Sequence, residues 1–181
     1  MRTSFRIHAG AQLSLSGLGL LAAALAAVPL LPPFADEWLL LGAGIALLVP
    51  LHLATLVRGV AVGLRDIRFA SSRANQWRAL RSLPRRVQAL LAALGLAGLA
   101  LITGVGADDS SLQKADSVRG RYFAVDPTDP RRMRFEVPRD TYETLRKEEQ
   151  RVAFAAYALV AAGGAGLTLV SARFDSRAVG P

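Results

Sequence analysis

RGVAVGLRDIRFASSRANQWRALRSLPRR, residues 58–86, holds eight arginines against a single acid, Asp66, and is flanked by long uncharged apolar runs. Arginine and lysine close to the ends of membrane spans are retained on the cytoplasmic side. The linker Arg58–Arg86 therefore sets the direction in which its neighbours cross a bilayer.

Outward from the linker, Asp, Glu, Lys and Arg are missing from residues 9–35, 38–57, 87–107 and 152–172. Each run reaches about 20 residues, enough helix for a hydrocarbon core of about 30 Å. Backbone polar groups in hydrocarbon must be bonded internally, which favours helices for such runs. The expected fold is an all-α membrane protein with four transmembrane helices, at 11–31, 38–57, 87–107 and 152–172, in an antiparallel bundle. Of the formal charge of +8, the N-terminus gives +2, the linker +7 and the tail +1. The turn holding Asp36 and Glu37 gives −2, and residues 108–151 balance ten acids with ten bases. The basicity is thus a topology signal. It points to a multi-pass cell-membrane protein with both termini and the linker cytoplasmic and residues 108–151 extracytoplasmic. Anionic inner-leaflet lipid, not nucleic acid, is the expected contact of Arg58–Arg86.

In chain order, residues 1–10 form a basic cytoplasmic start, and Pro29, Pro32 and Pro33 should end the first span for want of amide protons. A rival reading takes residues 1–26 as a cleaved signal peptide with Ala24-Leu25-Ala26 at the cleavage site. Trp38 is an interfacial anchor for the second span. Pro50 should kink that span, and Gly42, Ala46 and Ala54 offer a small-residue face for another helix. Within the linker, Ile67, Ala70, Ala74 and Trp77 recur at helical spacing. That pattern suits either a helix lying on the inner leaflet or a solvated basic loop. Pro84, Arg85 and Arg86 mark entry to the third span, where Ala89, Ala93 and Ala97 share a row. In the fourth, Ala158, Ala162 and Gly166 do the same.

The loop 108–151 carries soluble-domain patterning. Residues 108–117 read as flexible. Met133, Phe135 and Val137 alternate with Arg134 and Glu136, the period of a strand with one apolar face. Around the turn residues of DPTDP, 119–125 should pair with 131–137 as a β-hairpin. Asp140 followed by Glu143 resembles a capping box, and from Thr141 a helix should run unbroken into the fourth span, with the tail 173–181 returning to the cytoplasm. A lone hairpin is marginal in water, so Phe135 and Val137 are expected to pack on Tyr142 and Leu145. Tyr122 and Phe123 point to opposite faces, leaving one ring near Arg119, Arg121 and Arg134. Tyr122, Phe123, Met133 and Phe135 form the expected partner-binding surface, for a membrane or extracytoplasmic protein.

Catalytic patterns are sparse. With no cysteine, thiolate and disulfide chemistry are absent, and two histidines, His8 and His52, fit no zinc motif. His52 lies inside a span and is the one cofactor candidate, because ionisable side chains at that depth default to functional roles. A haem would need a second axial ligand from another subunit; a transport role would draw on Pro50, His52 and Thr103. The plainer expectation is a neutral imidazole bonded to Thr55, Ser14 or Ser16. Asp126, Asp129, Glu136 and Asp140 each have arginine nearby and suit turns and surface pairs. The expected class is a non-enzymatic accessory or structural membrane subunit, without cofactor or metal. The alternative is a haem-binding or transport-related subunit centred on His52.

Two resemblances accompany this reading. PLHLATLVRGVAVGLRD, residues 50–66, resembles the His-then-Gly-Arg pattern of succinate dehydrogenase membrane anchors over one helix, although His52 stands well ahead of Gly63. GRYFAVDPTDPRRMRFEVPRDTYETLRKEEQR, residues 120–151, resembles a loop pattern of small four-span bacterial membrane proteins with a large third loop. Tyr122, Phe123, Val137, Tyr142 and Arg151 carry it. That resemblance implies a paired-strand excursion outside the membrane and names no activity.

Overall fold

The computed structural model describes residues 3–65, 72–104, 112–126, 131 and 133–178. Helices α1 (Thr3–Ala26), α2 (Glu37–Arg65), α3 (Arg73–Arg81) and α4 (Arg85–Thr103) precede strands β1 (Gln113–Val118), β2 (Arg121–Val125) and β3 (Arg134–Glu136). Helix α5 (Arg139–Ala178) closes the chain. Among the described residues, α1, α2, α4 and α5 are long and apolar enough to cross a membrane.

Contacting residues give the helix directions. Ala9 packs with Leu83 and Leu169, and Ala23 packs with Phe154 near Leu41 and Leu101. Hence α1 and α4 run one way, α2 and α5 the other. The expected even bundle becomes an uneven one: α1 and α5 form the central pair, and α2 and α4 flank it, barely touching each other. Small side chains explain that pair. Ala155, Ala158, Ala161 and Ala165 of α5 are buried, and a methyl at Gly19 would lie only 2.8 Å from Tyr157 and 3.1 Å from Ala158. Helices in lipid gain by such close van der Waals approach, since hydrocarbon surroundings remove the hydrophobic drive.

Several boundaries differ from expectation. Helix α1 starts at Thr3, so His8 is helical, and it stops at Ala26, ahead of the prolines. Helix α2 continues through Pro50 and takes in the first part of the basic linker, Arg58, Gly59 and Gly63 included. Gly42 and Ala46 are exposed while Ala54 is half-buried, so the expected small-residue face is only partly turned into the protein; the neighbouring Gly44 lies against Tyr157. Outward on α2 lie Leu39, Leu47, Leu53, Val57 and Leu64. So extensive an exposed apolar belt suits hydrocarbon better than water.

The linker contains α3, and of the row expected to define it, Ala74 and Trp77 are exposed while Ile67 and Ala70 lie outside the described residues. Ala79 and Leu83 are the residues turned into the protein. The Gln88 carboxamide donates to the carbonyls of Leu83 (2.7 Å) and Arg81 (2.9 Å), closing the end of α3 against the start of α4.

The excursion is a three-stranded antiparallel sheet in the order β1-β2-β3. The expected pairing of β2 with β3 is present, with Phe123 opposite Glu136, Ala124 opposite Phe135 and Val125 opposite Arg134. Strand β1 was not anticipated, because residues 108–117 read as flexible. It pairs with β2 across a tight turn at Arg119 and Gly120, both with positive φ (53° and 78°). That geometry is the hairpin turn whose twist matches the strands. Helix α5 starts at Arg139 after Pro138, whose carbonyl accepts the Tyr142 amide at 3.0 Å. Asp140 therefore sits inside the first turn and is not the cap.

Candidate functional site

Three polar regions stand out on this scaffold: a buried network between α1, α2 and α5, a clasp at the sheet end, and the outward face of the sheet. The network starts on α1, where His8, Gln12 and Ser16 follow one another at four-residue spacing on the face turned into the protein. His8 Nε2 lies 2.8 Å from the Leu51 carbonyl and 2.9 Å from Thr55 Oγ1. Gln12 Nε2 donates to Thr55 Oγ1 at 3.3 Å. The Thr168 hydroxyl, from α5, donates to Gln12 Oε1 (3.0 Å) or to the Gly164 carbonyl (2.9 Å), and lies 2.9 Å from Thr55 Oγ1. The single hydroxyl proton of Thr168 serves only one of these acceptors at a time. Ser16 Oγ is buried with no hydrogen-bond partner.

His52 joins α2 to α5 by another route. Its Nε2 lies 3.1 Å from the Val160 carbonyl and its Nδ1 3.2 Å from the Leu48 carbonyl. The expected partners are not the observed ones: Thr55 is engaged by His8, Gln12 and Thr168, and Ser14 is exposed. To ligate an iron, His52 would have to give up one of these two carbonyl contacts. Sequence reasoning missed His8 and Gln12 as partners of this site, though a polar row at helical spacing inside an apolar run was the available signal.

At the sheet end, Arg146, Gln150 and Phe154 lie on one face of α5 and hold the loop between α1 and α2. The Gln150 carboxamide pairs with the Phe34 backbone in both directions, accepting its amide at 2.9 Å and donating to its carbonyl at 2.9 Å. It also bonds the Glu37 carboxylate. Arg146 reaches Glu37 Oε2 at 3.4 Å, the Ala35 carbonyl at 3.1 Å and the Tyr142 hydroxyl at 3.0 Å, while Lys147 donates to the Pro29 carbonyl at 2.7 Å. Phe34 stands edge-on to Phe154, centroids 5.6 Å apart. In a loop with Pro29, Pro32 and Pro33, carbonyls lack their usual amide partners, and α5 side chains supply them.

The sheet places the four surface residues differently. Tyr122 turns inward and stacks on Tyr142, ring centroids 4.7 Å apart. Ala124 is fully buried on the same face. Phe123 therefore takes the opposite, outward face, with the Arg121 guanidinium 5.8 Å from its ring. Cross-strand pairs flank it: Arg121 with Glu136, and Arg134 with Asp116 at 3.1 Å. The Arg121 bond holds the Glu136 carboxyl below its usual range. Phe135 was expected in the core but is 41% exposed, because β3 is the edge strand, and Met133 is exposed beside it. The core under the sheet is Ala124, Tyr142 and Leu145 instead.

No protein-family model, curated protein or solved structure matches the chain.

Proposed function

We propose that the chain is a non-enzymatic, multi-pass accessory subunit that binds a protein partner outside the membrane through the outward face of its sheet. The observation that carries this reading is the position of Phe123: an aromatic ring on the face turned away from α5, framed by two arginine–carboxylate pairs. Aromatic and arginine side chains are the usual anchors of protein interfaces. The buried network supports the same reading, since its side chains bridge helices and suit a scaffold. In this reading the end bearing the N-terminus, the linker and the tail faces the cytoplasm and anionic lipid.

The test is mild-detergent co-purification of the full-length chain with mass spectrometry of what accompanies it. Phe123→Ala should reduce recovery of a specific partner by roughly tenfold, the loss of one anchor of ordinary size, with the protein still folded. Tyr122→Ala should instead loosen the sheet from Tyr142. Unchanged recovery with a folded Phe123→Ala protein would move the interface elsewhere. Reporter fusions after Trp77 and at residue 130 check the orientation, with extracytoplasmic activity expected at the second alone.

A further inference from the structure

Where α2, α3 and α5 meet, the helices leave a laterally open groove of about 520 Å³. Gly59 and Gly63 of α2 and Gly163 and Gly166 of α5 line it, and Arg73 and Trp77 of α3 stand at one end. Some glycines of the bundle bring helices together: a methyl at Gly98 would lie 2.7 Å from Leu159, and one at Gly19 2.8 Å from Tyr157. Gly163, Gly59 and Gly166 in the groove approach nothing so closely. A methyl at Gly163 would meet nothing within 4 Å, one at Gly59 would meet Ser171 only at 3.7 Å, and one at Gly166 would meet Leu91 only at 4.0 Å. These positions keep volume open where protein could have filled it. In a bilayer such a volume is filled by an acyl chain, because an empty apolar space forfeits dispersion contacts on one side.

The charged end selects the headgroup. Arg73 borders the groove, Trp77 is amphipathic and half exposed, and Arg81 stacks over the Trp77 ring at 4.9 Å. Tryptophan and arginine together at a membrane edge match the headgroup level, and the arginine complements a phosphate. We propose that this groove binds one anionic phospholipid, with an acyl chain over the glycines and the phosphate at Arg73. The inference rests on the reading of the basic end as the side facing anionic lipid, and narrows it from a diffuse surface to one site.

Native mass spectrometry of the full-length protein in mild detergent, with phosphatidylglycerol or phosphatidylcholine added, tests it. The wild-type chain should retain phosphatidylglycerol about fivefold better, the size expected of one basic residue near anionic lipid. Arg73→Gln should abolish that preference, and Arg78→Gln, on the same helix outside the groove, should keep it. Gly163→Leu should lower retention of both lipids; Gly59→Val fills the same space from the facing helix and guards against a folding defect in the first variant. Undiminished retention in folded filling variants overturns the site. So does a preference that survives Arg73→Gln and disappears only when Arg78, Arg81, Arg85 and Arg86 are neutralised together, although the broader reading of the basic face then stands. If the wild-type chain shows no preference, both fail.

Discussion

Gly163 and Gly164 are neighbours in sequence and opposites in surroundings. A methyl at Gly164 would lie 2.6 Å from Gln12 Nε2 and from the His52 ring, whereas Gly163 opens onto free space. Gly164→Ala should therefore destabilise the bundle by about 1–3 kcal/mol, the usual cost of overpacking. Gly163→Ala should be neutral or stabilising by up to about 1 kcal/mol, from helix propensity. Thermal unfolding of both variants in one detergent checks the contrast. At Gln12, which bonds both Thr55 and Thr168, replacement by Leu should cost about 1 kcal/mol, from two interhelical bonds of about 0.6 kcal/mol each. The same assay measures it, and an unchanged melting temperature would show the network to be idle. His8 and Gln12 were hard to read because the uncharged window starts at Ala9, which put His8 in a cytoplasmic segment. Periodicity was visible in residues 8, 12 and 16, but the helix that gives it meaning begins at Thr3.

Among the elements, β3 was legible because Met133, Phe135 and Val137 alternate with polar residues, and β2 because its largely apolar run RYFAV is set off by the turn residues of DPTDP. Strand β1, QKADSV, offers only Ala115 and Val118 and no clear alternation, so pairing with β2 makes it a strand. Its one local signal was Arg119-Gly120, with glycine at the second position of the turn. The face of Phe135 was also legible, but its burial was not: alternation assigns a side, and the edge position of β3 leaves that side open. At the scale of the sheet, the Arg121–Glu136 pair should give a pH dependence. The folded carboxyl titrates below its unfolded value near 4.5. Its contribution is therefore present above that value and is lost as pH falls through the lower folded one. Hydrogen exchange of the β2 and β3 amides, corrected for intrinsic rates, should show weakening protection below about pH 4.5, where an unperturbed glutamate is already about half protonated. Arg121→Gln should remove that acid step; an identical acid profile in the variant would show that the pair does not hold the sheet.

For the whole molecule, charge-free runs revealed four helices because length and hydropathy are properties of a segment alone. They could not reveal which helix lies in the middle. Nearly uniform Ala, Leu and Gly carry little facing information, and the uneven pairing depends on single contacts such as Gly19 with Tyr157, Gly98 with Leu159 and Gln12 with Thr168. The central helix α5 also follows the other three apolar helices along the chain. During synthesis the first three apolar helices leave the ribosome before the helix that joins them exists, so Gln12 waits for Thr168, His52 for Val160, and the loop carbonyls at Val28, Pro29 and Phe34 for the side chains of Lys147 and Gln150. A chain ending at Pro138 should insert but remain open to protease and be cleared quickly by quality control. Supplying residues 139–181 as a separate polypeptide should rescue it, measured by its half-life in pulse-chase labelling. Equal half-lives with and without the second polypeptide would mean that the early helices assemble unaided. Late arrival of the keystone would leave the newborn protein exposed until the ribosome has made α5.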